Sequence, residues 1–378
     1  MEEVVIPPQL FKNQYKNKRV LVTGHTGFKG SWLSLWLVHL GAQVAGFSKY
    51  LPTQPCLFEA LSLKKKLKDH RKDICAIRDL EKAFAQFKPE IVFHLAAQPI
   101  VRHSYDEPKI TFDTNLGGTV NVLECVKNSP TVKAVVIITS DKCYENVGWN
   151  QGYKETDRLG GADPYSASKA CAELAFSAYC RSFFNKGEGI KCASARAGNV
   201  IGGGDWAKDR IIPDCMRSWS QNQKALIRKP EATRPWQHVL EPISGYLWLG
   251  ASLLTNPDGV AGESFNFGPR VQDVHSVSEL VELSATFMEQ KGRWEHAALE
   301  GERKEATLLQ LSIDKADQRL SWRPALTFKE TVQLTAAWYK VYYQKKEDMV
   351  RFSMGQIQQY IQKAQEQNIK WSQLKNHP

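Results

Sequence analysis

A glycine-spaced turn near the start of the chain constrains its fold more than any other feature. Residues 23–30 place glycines at positions 24, 27 and 30, between a β-type apolar run at 19–23 and a helical pattern at 31–40. Glycines let the backbone approach an anion, and the N-terminus of the following helix offers free N–H groups and a positive dipole end. The spacing GxxGxxG is weak evidence alone. Its place between a strand and a helix predicts a cradle for a dinucleotide pyrophosphate.

The first half of the chain alternates short apolar runs with helical patterns. The β-type runs lie at 19–23, 43–47, 90–94, 134–139 and 190–195, and helices are expected at 31–40, 79–87, 115–127 and from residue 164. Such alternation is typical of βαβ units and predicts an α/β fold with a doubly wound, Rossmann-type parallel sheet. Ligands bind such sheets at the carboxyl ends of the strands.

The second half has a different order and predicts a smaller lobe. Helices are expected at 211–220, 242–254, 276–289 and 328–343, and a strand at 264–267. We therefore expect a mainly dinucleotide-binding domain at 1–197 and a mainly substrate-binding lobe at 198–346 that returns some elements to the main sheet. The polar tail at 347–378 carries a weak apolar stripe, which we expect to pack on the body or on a neighbour: Ile357, Tyr360, Ile361 and Ala364.

Composition excludes several classes of protein. The 378 residues are 42% apolar and 24% charged, as in globular proteins. No apolar run approaches the ~18 residues of a membrane span, and the first residues lack a secretory signal. Eight cysteines without a CxxC pair predict reduced thiols in the cytoplasm. The net charge of +10 is dispersed and accompanies no nucleic-acid motif, so it favours a small polyanionic substrate over nucleic acid or membrane.

A tyrosine and a lysine four residues apart are the first candidates for chemistry. The spacing YxxxK occurs three times, but only Tyr165 and Lys169 follow a helix-start signal, Asp163-Pro164. Residues four apart share a helix face. We expect the charge of Lys169 to lower the pKa of Tyr165, so that the phenolate accepts an alcohol proton while the carbon loses a hydride.

Ser140, Asp141 and Lys142 form a second candidate group at the end of the run at 134–139. A polar triplet in a loop is more often structural than catalytic. Because this triplet ends the strand before the tyrosine helix, we expect it at the cofactor crevice. Ser140 is suited to bind a carbonyl or alkoxide.

The end of the second strand bears on the choice of dinucleotide. An acidic residue there would bind a ribose 2′-hydroxyl, but this chain has Ser48, Lys49 and Tyr50. Lys49 is compatible with a 2′-phosphate, and hence NADP, or with a solvated turn. We favour NAD because of the reaction inferred below, and expect Asp73 and Ile74 to clamp the adenine.

These motifs together resemble the extended short-chain dehydrogenase/reductase family, over residues 17–343. The turn matches the family's TGxxGFxG pattern, residues 94–97 match its HxAA segment, and Asn115 stands at its structural asparagine. The late segments 314–316 and 322–324 also match. The resemblance implies that NAD is held by the following residues: Gly24, Thr26, Gly27, Phe28, Lys29, Gly30, Ser48, Asp73, Ile74, Leu95, Ala96, Ala97, Tyr165 and Lys169.

Within this family, three stretches are most similar to the group of 4,6-dehydratases that act on CDP-glucose. They are residues 140–144, 196–206 and 234–242. The dehydratases of dTDP-glucose usually carry Asp-Glu where this chain has Asp141-Lys142. The resemblance implies oxidation at C4, loss of water across C5–C6 and return of the hydride to C6, a step of deoxysugar biosynthesis such as that of a lipopolysaccharide O-antigen.

The resemblance also implies a role for each candidate. Tyr165 takes the O4 proton, Lys169 orients the nicotinamide ribose, and Asp141 protonates the departing hydroxyl. Lys142 serves the C5 step as a neutral base or, as we prefer, as electrostatic support for the enolate. The expected ligands of the nucleotide sugar are Gln98, Asn199, Arg210, Arg234 and His238. Arg210 is equally compatible with an ion pair, and His238 with a core position.

Two other functions stay open at this stage. A nucleotide-sugar 4-epimerase would need Tyr165, Lys169 and NAD but no group for water loss, and a non-enzymatic sensor would bind NAD without turnover. The resemblance implies a homodimer or homotetramer formed through the helices around 107–127 and 164–185. No histidine spacing indicates a metal site.

Overall fold

The predicted alternation folds into a parallel sheet of seven strands. The computed structural model describes residues 9–149, 151–185, 187, 189–290, 293–297 and 309–374. Its strands are β1 (Arg19–Thr23), β2 (Gln43–Ser48), β3 (Lys68–Arg71), β4 (Ile91–His94), β5 (Ala134–Ile138), β6 (Lys191–Arg196), β7 (Val200–Ile201), β8 (Ala225–Ile227), β9 (Thr233–Arg234), β10 (Gln237–His238), β11 (Ser264–Asn266), β12 (His275–Ser276) and β13 (Trp294–His296). The main sheet has the order β11-β6-β5-β4-β1-β2-β3.

The described α-helices include one for each predicted helix and five that were not predicted. They are α1 (Phe28–His39), α2 (Leu57–Ala60), α3 (Ile77–Phe87), α4 (Val101–Asp106), α5 (Pro108–Phe112), α6 (Gly118–Lys127), α7 (Pro164–Ser182), α8 (Ile211–Ser220), α9 (Leu240–Thr255), α10 (Val277–Phe287), α11 (Asp314–Leu320), α12 (Phe328–Gln344) and α13 (Met349–Glu366). The five that were not predicted are α2, α4, α5, α11 and α13. A π-helical turn over Asp113–Gly117 joins α5 to α6. Short 3-10 turns lie at Leu10–Asn13, Leu63–Lys65, Asp141–Cys143 and Lys370–Ser372.

The central strands are apolar because helices cover both faces of the sheet. All five residues of β5 are buried, as are all four of β4. The strands pair in parallel register, with Val20 opposite Val44 on one side and Ile91 on the other. Each carboxyl end therefore opens on the same edge, which is the edge expected to bind a ligand.

Several later elements return to the main sheet, as expected. β11 pairs with β6 at the sheet edge, and α9 packs against β5 and β6. The remaining pieces form two-stranded ladders that pair β7 with β10, β9 with β12 and β8 with β13. They stand beside the carboxyl edge of the sheet. The three-part division of the chain stays a prediction.

The polar tail forms a helix that packs on the body. Its predicted apolar stripe on α13 is buried, and the ring of Tyr360 lies 6.1 Å from that of Trp36 on α1. The hydroxyl of Tyr360 donates to the buried carboxylate of Glu241 at 2.7 Å. The same carboxylate accepts the backbone N–H groups of Ala325 and Leu326. One buried acid therefore connects α9, the loop before α12, and α13.

Among the described helices, none is long and apolar enough to cross a membrane. All eight cysteines are free thiols.

Candidate active site

A cavity of about 680 Å³ opens along the carboxyl edge of the main sheet. Its walls combine the glycine turn, the ends of β2, β4 and β5, the start of α7, and loops of the second half. It brings together all but one of the predicted site residues: Gly24, Thr26, Gly27, Phe28, Lys29, Gly30, Ser48, Asp73, Ile74, Leu95, Ala96, Ala97, Gln98, Ser140, Asp141, Lys142, Tyr165, Lys169, Asn199, Arg210 and Arg234.

The glycine turn needs its glycines for close packing. Gly24 has φ +74°, and a Cβ there would lie 2.7 Å from the backbone nitrogen of Ala96. A Cβ on Gly30 would lie 2.1 Å from the carbonyl oxygen of Gly24. Gly27 is the N-cap of α1 and carries no capping side chain, so the first N–H groups of the helix face the cavity without a side-chain acceptor. The geometry suits an anion.

The end of β2 carries an ion pair. Lys49 Nζ lies 2.8 Å from Asp73 Oδ2. The hydrogen bond to Asp73 raises the pKa of Lys49, and the pKa of Asp73 is lowered by that bond although its partial burial opposes the change. Asp73 is therefore engaged with Lys49 through one carboxylate oxygen, and its role as a clamp for the adenine stays a prediction.

The segment after β4 is held by a buried histidine. His94 Nδ1 lies 2.7 Å from Thr23 Oγ1, and its Nε2 lies 3.0 Å from Thr119 Oγ1. Burial lowers the pKa of His94 to about 3, so the ring is neutral. Thr23 Oγ1 also accepts the N–H of Ala96. These bonds hold residues 95–97 against the glycine turn.

Asn115 connects two walls of the site, as the family pattern implies. Its side chain bonds the backbone of Gln98 through both amide atoms, and its Nδ2 donates to Ser168 Oγ at 2.9 Å. The side chain of Gln98 accepts the N–H of Ile100 in its own loop and donates to Thr111 Oγ1 on α5. Gln98 therefore shapes this wall as well as lining the cavity.

The polar triplet caps the end of β5. Ser140 Oγ accepts the N–H of Lys142 and donates to Asp141 Oδ1 at 2.8 Å. Asp141 is buried against Gly198, where a Cβ would lie 2.1 Å from Asp141 Oδ2. Lys142 is half-buried at the cavity wall.

Tyr165 and Lys169 lie together on the first turns of α7. Asp163 caps this helix by accepting the N–H of Ser166 at 2.9 Å. The expected net lowering of the pKa of Tyr165 is not found, and Lys169 is not among the main influences on that pKa. Burial raises the pKa of Tyr165 to about 12, and the hydrogen bond with Ser140 offsets only part of that effect. Burial also lowers the pKa of Lys169 to about 8, which weakens it as a source of positive charge.

A buried network beneath these residues was missed from the sequence. Glu173 lies one turn after Lys169, and its carboxylate pairs with Arg196 at the end of β6 at 2.8 Å. Thr139 and Ser194 also donate to Glu173. The signal available was the i,i+4 spacing of Glu173 from Lys169 on the same helix face. The network ties α7 to β5 and β6 below the catalytic candidates.

The predicted substrate ligands separate into two groups. Asn199, Arg210 and Arg234 line the cavity, and Arg210 also forms an ion pair with Asp205 at 2.7 Å. His238 is fully buried outside the cavity lining, and its Nδ1 accepts the N–H of Leu240. Burial lowers its pKa to about 3. The structure therefore favours the core position for His238, because β10 turns its side chain inward.

Two ion pairs that meet at Asp209 on the cavity lining were also missed from the sequence. Asp209 accepts Arg102 Nη1 at 3.2 Å and Arg228 Nη2 at 3.0 Å. Arg102 belongs to α4, whereas Arg228 follows β8. Asp209 has φ +62°. An ion pair between residues this far apart in the chain leaves no recognisable pattern in the sequence.

Lys29 adds a further, half-buried charge to the cavity. Burial, followed by the neighbouring charge of Arg210, lowers the pKa of Lys29 to about 8. With Lys169 and Arg210, it gives this wall a cationic character suited to phosphates. Within the described residues, no group of three or more His, Cys, Asp or Glu side chains is placed to hold a metal ion.

Comparison with known families decides the classification. The profile of the family described as GDP-mannose 4,6 dehydratase matches residues 21–335. The chain belongs to this family. A curated relative, the CDP-glucose 4,6-dehydratase of Salmonella typhimurium, is 49% identical over 93% of this chain and 98% of its own length. These findings confirm the resemblance to nucleotide-sugar 4,6-dehydratases that the motifs predicted.

Solved structures agree on the fold. The dTDP-glucose 4,6-dehydratase of Bacillus anthracis, in complex with NAD, has a TM-score of 0.71 and 22% identity, covering 85% of this chain and 96% of that one. The UDP-glucose 4-epimerase of Thermotoga maritima, with UDP-glucose, has a TM-score of 0.73 and 23% identity, covering 86% and 99%. These likenesses confirm the Rossmann-type fold.

Proposed function

We propose that this chain is a CDP-glucose 4,6-dehydratase that uses NAD. The observation that carries the proposal is the convergence of Ser140, Asp141, Tyr165 and Lys169 on the same cavity as the glycine turn. An epimerase needs the tyrosine and lysine alone, whereas Asp141 adds an acid for the loss of water. The 49% identity with the Salmonella typhimurium enzyme supports the choice of CDP-glucose.

The residues present fit NAD. Gly27 leaves the N-terminus of α1 open to the cavity, and Gly24 lies against Ala96 with no space for a side chain. These positions, with Thr26, Phe28, Lys29 and Gly30 between them, would hold the pyrophosphate. When bound, NAD supplies the acceptor for the C4 hydride, the donor for C6, and a positive ring charge that favours a phenolate. Ser48, Ile74 and Leu95–Ala97 would border the adenosine and nicotinamide ends.

The first step on this chain is proton transfer at the sugar O4. Tyr165 accepts the O4 proton, and Ser140 hydrogen-bonds the same oxygen. Since burial raises the pKa of Tyr165, the phenolate forms only when positive charge gathers around it. Lys169, one turn along α7, contributes part of that charge.

The second step is loss of water across C5–C6. Asp141 donates a proton to the departing O6, while the C4 ketone acidifies the C5–H bond. Lys142 supports the enolate electrostatically from the next position in the chain. The proton balance needs one acid at O6 and one acceptor at C5. Lys142, as a neutral amine beside Asp141 on the cavity lining, accepts the C5 proton, and the resulting ammonium is the charge that supports the enolate.

The substrate diphosphate faces the cationic loops of the second half. Arg210 and Arg234 are the proposed guanidinium ligands, since arginine offers paired donors to phosphate oxygens. Asn199 and Gln98 would contact the sugar and its linkage. His238 is not retained as a ligand because its side chain is buried away from the cavity.

NMR of product formation tests the proposal directly. Purified protein with NAD is supplied with CDP-glucose, and separately with dTDP-glucose, UDP-glucose and GDP-mannose. We expect a 4-keto-6-deoxy sugar from CDP-glucose at the highest rate. Inversion at C4 without loss of water would instead identify an epimerase, and a faster reaction with another nucleotide would overturn the assignment of CDP.

Two finer features belong to the same proposal. We place the enzyme in deoxysugar biosynthesis and in the cytoplasm. The eight free thiols support the cytoplasmic location.

We also propose a homodimer or homotetramer, because Leu174 on α7 is 58% exposed and Phe183 at its end is 53% exposed. Sedimentation of the Leu174→Glu variant tests the interface, and a monomeric parent chain would exclude it.

A further inference from the structure

A second, much smaller cavity lies behind Asp141. Its volume is about 10 Å³, close to the space of one water molecule. Asp141, Gly198 and Asn199 line both this cavity and the large one, whereas Gln237 borders only the small one. The small cavity therefore lies on the side of Asp141 away from the bulk of the site.

Gln237 borders the small cavity and carries a buried hydrogen-bond acceptor that no donor contacts among the described residues. Its side chain is 2% exposed, and its Nε2 donates to the carbonyl oxygens of Gly198 and Phe267, each at 3.0 Å. Those two carbonyls fix the orientation of the amide, because the opposite orientation would set Oε1 against two other acceptors. The buried Oε1 then has no hydrogen-bond partner among the described residues.

Asp141 lines the same small cavity, and its carboxylate has hydrogen-bond acceptor positions that the described residues leave unused. Its carboxylate accepts one hydrogen bond, from Ser140 Oγ, among the described side chains. A carboxylate has about four acceptor positions. Gly198 contacts both partners, because its Cα borders the Asp141 carboxylate and its carbonyl accepts from Gln237. Two buried acceptors that share a small void repel each other unless a donor lies between them.

We propose that this cavity binds one water molecule, which donates one hydrogen bond to Asp141 and one to Gln237 Oε1. The water then holds the Asp141 carboxyl from the side of Gln237, aimed at the departing hydroxyl, while the single hydroxyl proton of Ser140 passes from Asp141 to the sugar O4 when substrate binds. Gln237 is a positioning residue in this arrangement, acting through the water on Asp141. The inference rests on the proposed function, because the orientation of Asp141 affects the reaction only where Asp141 protonates the departing hydroxyl.

The first test is a crystal structure of the full chain with NAD at a resolution that shows ordered water. We expect one water within roughly 2.6–3.2 Å of both an Asp141 carboxyl oxygen and Gln237 Oε1. A dry cavity, or a water bound to only one of them, overturns the proposal. This measurement does not depend on catalysis and needs no variant.

The second test is the variant Gln237→Met, which keeps the length of the side chain and removes both amide atoms. We expect the water to be lost and the dehydration step to slow about tenfold, with little change in KM for CDP-glucose. Reduced cofactor should accumulate, seen at 340 nm, because C4 oxidation continues while the loss of water lags. An unchanged dehydration rate contradicts the proposal.

Gln356→Met is the matched control. Gln356 on α13 is also buried, donates through Nε2 to the Leu334 carbonyl at 2.7 Å, and has an Oε1 without a partner among the described residues. The Gln356→Met variant should lose about as much stability as Gln237→Met. Its absorbance at 340 nm during turnover should match that of the parent chain. If Gln237→Met does not fold, the crystal structure decides alone. If the parent chain forms no 4-keto-6-deoxy product, the proposed function fails, and the bound water is still judged from the electron density.

Discussion

Lys49 and Asp73 illustrate how one ion pair sets a preference at the scale of single residues. A lysine at the end of β2 would favour a 2′-phosphate if its charge were available. In the structure that charge is paired with Asp73 at 2.8 Å. Since the pair is exposed, its contribution to stability is small, but it removes a free cation from the ribose site. We therefore expect NAD to bind better than NADP.

Asp73→Asn should move this preference toward NADP. Freed from its carboxylate, Lys49 becomes available to a 2′-phosphate, and we expect the Kd for NADP to fall roughly tenfold, ~1.4 kcal/mol. Calorimetric titration with each dinucleotide measures the change. The double variant Asp73→Asn with Lys49→Met serves as the control and should lose the gain. Equal NADP affinity in the parent and Asp73→Asn would refute the argument.

Asp141→Asn separates the two halves of the proposed reaction. The amide cannot donate a proton as a carboxylic acid does, so dehydration should fall by about 10²-fold or more, whereas C4 oxidation continues. Stopped-flow absorbance at 340 nm and NMR of the product report the two steps. Asp258→Asn, at an exposed carboxylate outside the cavity lining, is the control. Full dehydratase activity in Asp141→Asn would assign the acid to another group.

At the scale of elements, the position of α7 depends on a buried ion pair. Glu173 and Arg196 are 1% and 3% exposed, and they join α7 to the end of β6. Burial alone would raise the pKa of Glu173, but the charge of Arg196 and its hydrogen bonds lower it, so the carboxylate stays ionised. Tyr165 and Lys169 stand on the same helix. The pair thus sets where the catalytic candidates meet Ser140.

Glu173→Ala should destabilise the chain strongly. It leaves the guanidinium of Arg196 buried without its partner, which costs about 3–5 kcal/mol in the free energy of unfolding. Urea unfolding of the variant and the parent measures this difference. Glu295→Ala, which breaks the exposed pair with Lys224, should change it by no more than about 0.5 kcal/mol. A similar small effect for Glu173→Ala would show that the buried pair contributes little.

At the scale of the whole molecule, Glu241 links the C-terminal helix to the main body. Its carboxylate accepts Tyr360 on α13 and two backbone N–H groups near residue 325. Burial raises its pKa from 4.5 to about 7. The folded chain therefore keeps a proton on Glu241 at pH values where the unfolded chain has released it. Stability from this group falls as the pH rises from about 4.5 to 7.

Glu241→Gln should remove that pH dependence. The glutamine oxygen still accepts the two backbone N–H groups, and its amide donates to Tyr360, with no charge to bury. Relative to the parent, the variant should gain up to roughly 3 kcal/mol in unfolding free energy between pH 5 and 8. Urea unfolding at several pH values gives the comparison. Parallel pH curves for the two chains would show that Glu241 does not titrate in this range.

The elements were largely predictable, and the exceptions have local causes. The strand at 19–23 and the helix at 211–220 have the predicted bounds. The helix expected at 115–127 begins as α6 only at Gly118, after a π-helical turn in which the side chain of Asn115 bonds the loop at Gln98. Periodicity reports which face of a segment is buried. It does not report side-chain bonds to a distant loop.

The sequence by itself determined the order of six of the seven main-sheet strands and of the helices between them, the glycine turn and the pairing of Tyr165 with Lys169. These depend on residues within one or two turns of each other, where backbone geometry and side-chain spacing decide the outcome. Only the tertiary structure decided that His238 is buried, that the pKa of Tyr165 is raised, that Asp73 is bound to Lys49, and that Gln237 stands behind Asp141. Burial and electrostatics at a site depend on segments far apart in the chain, which meet only when the sheet and its loops have packed.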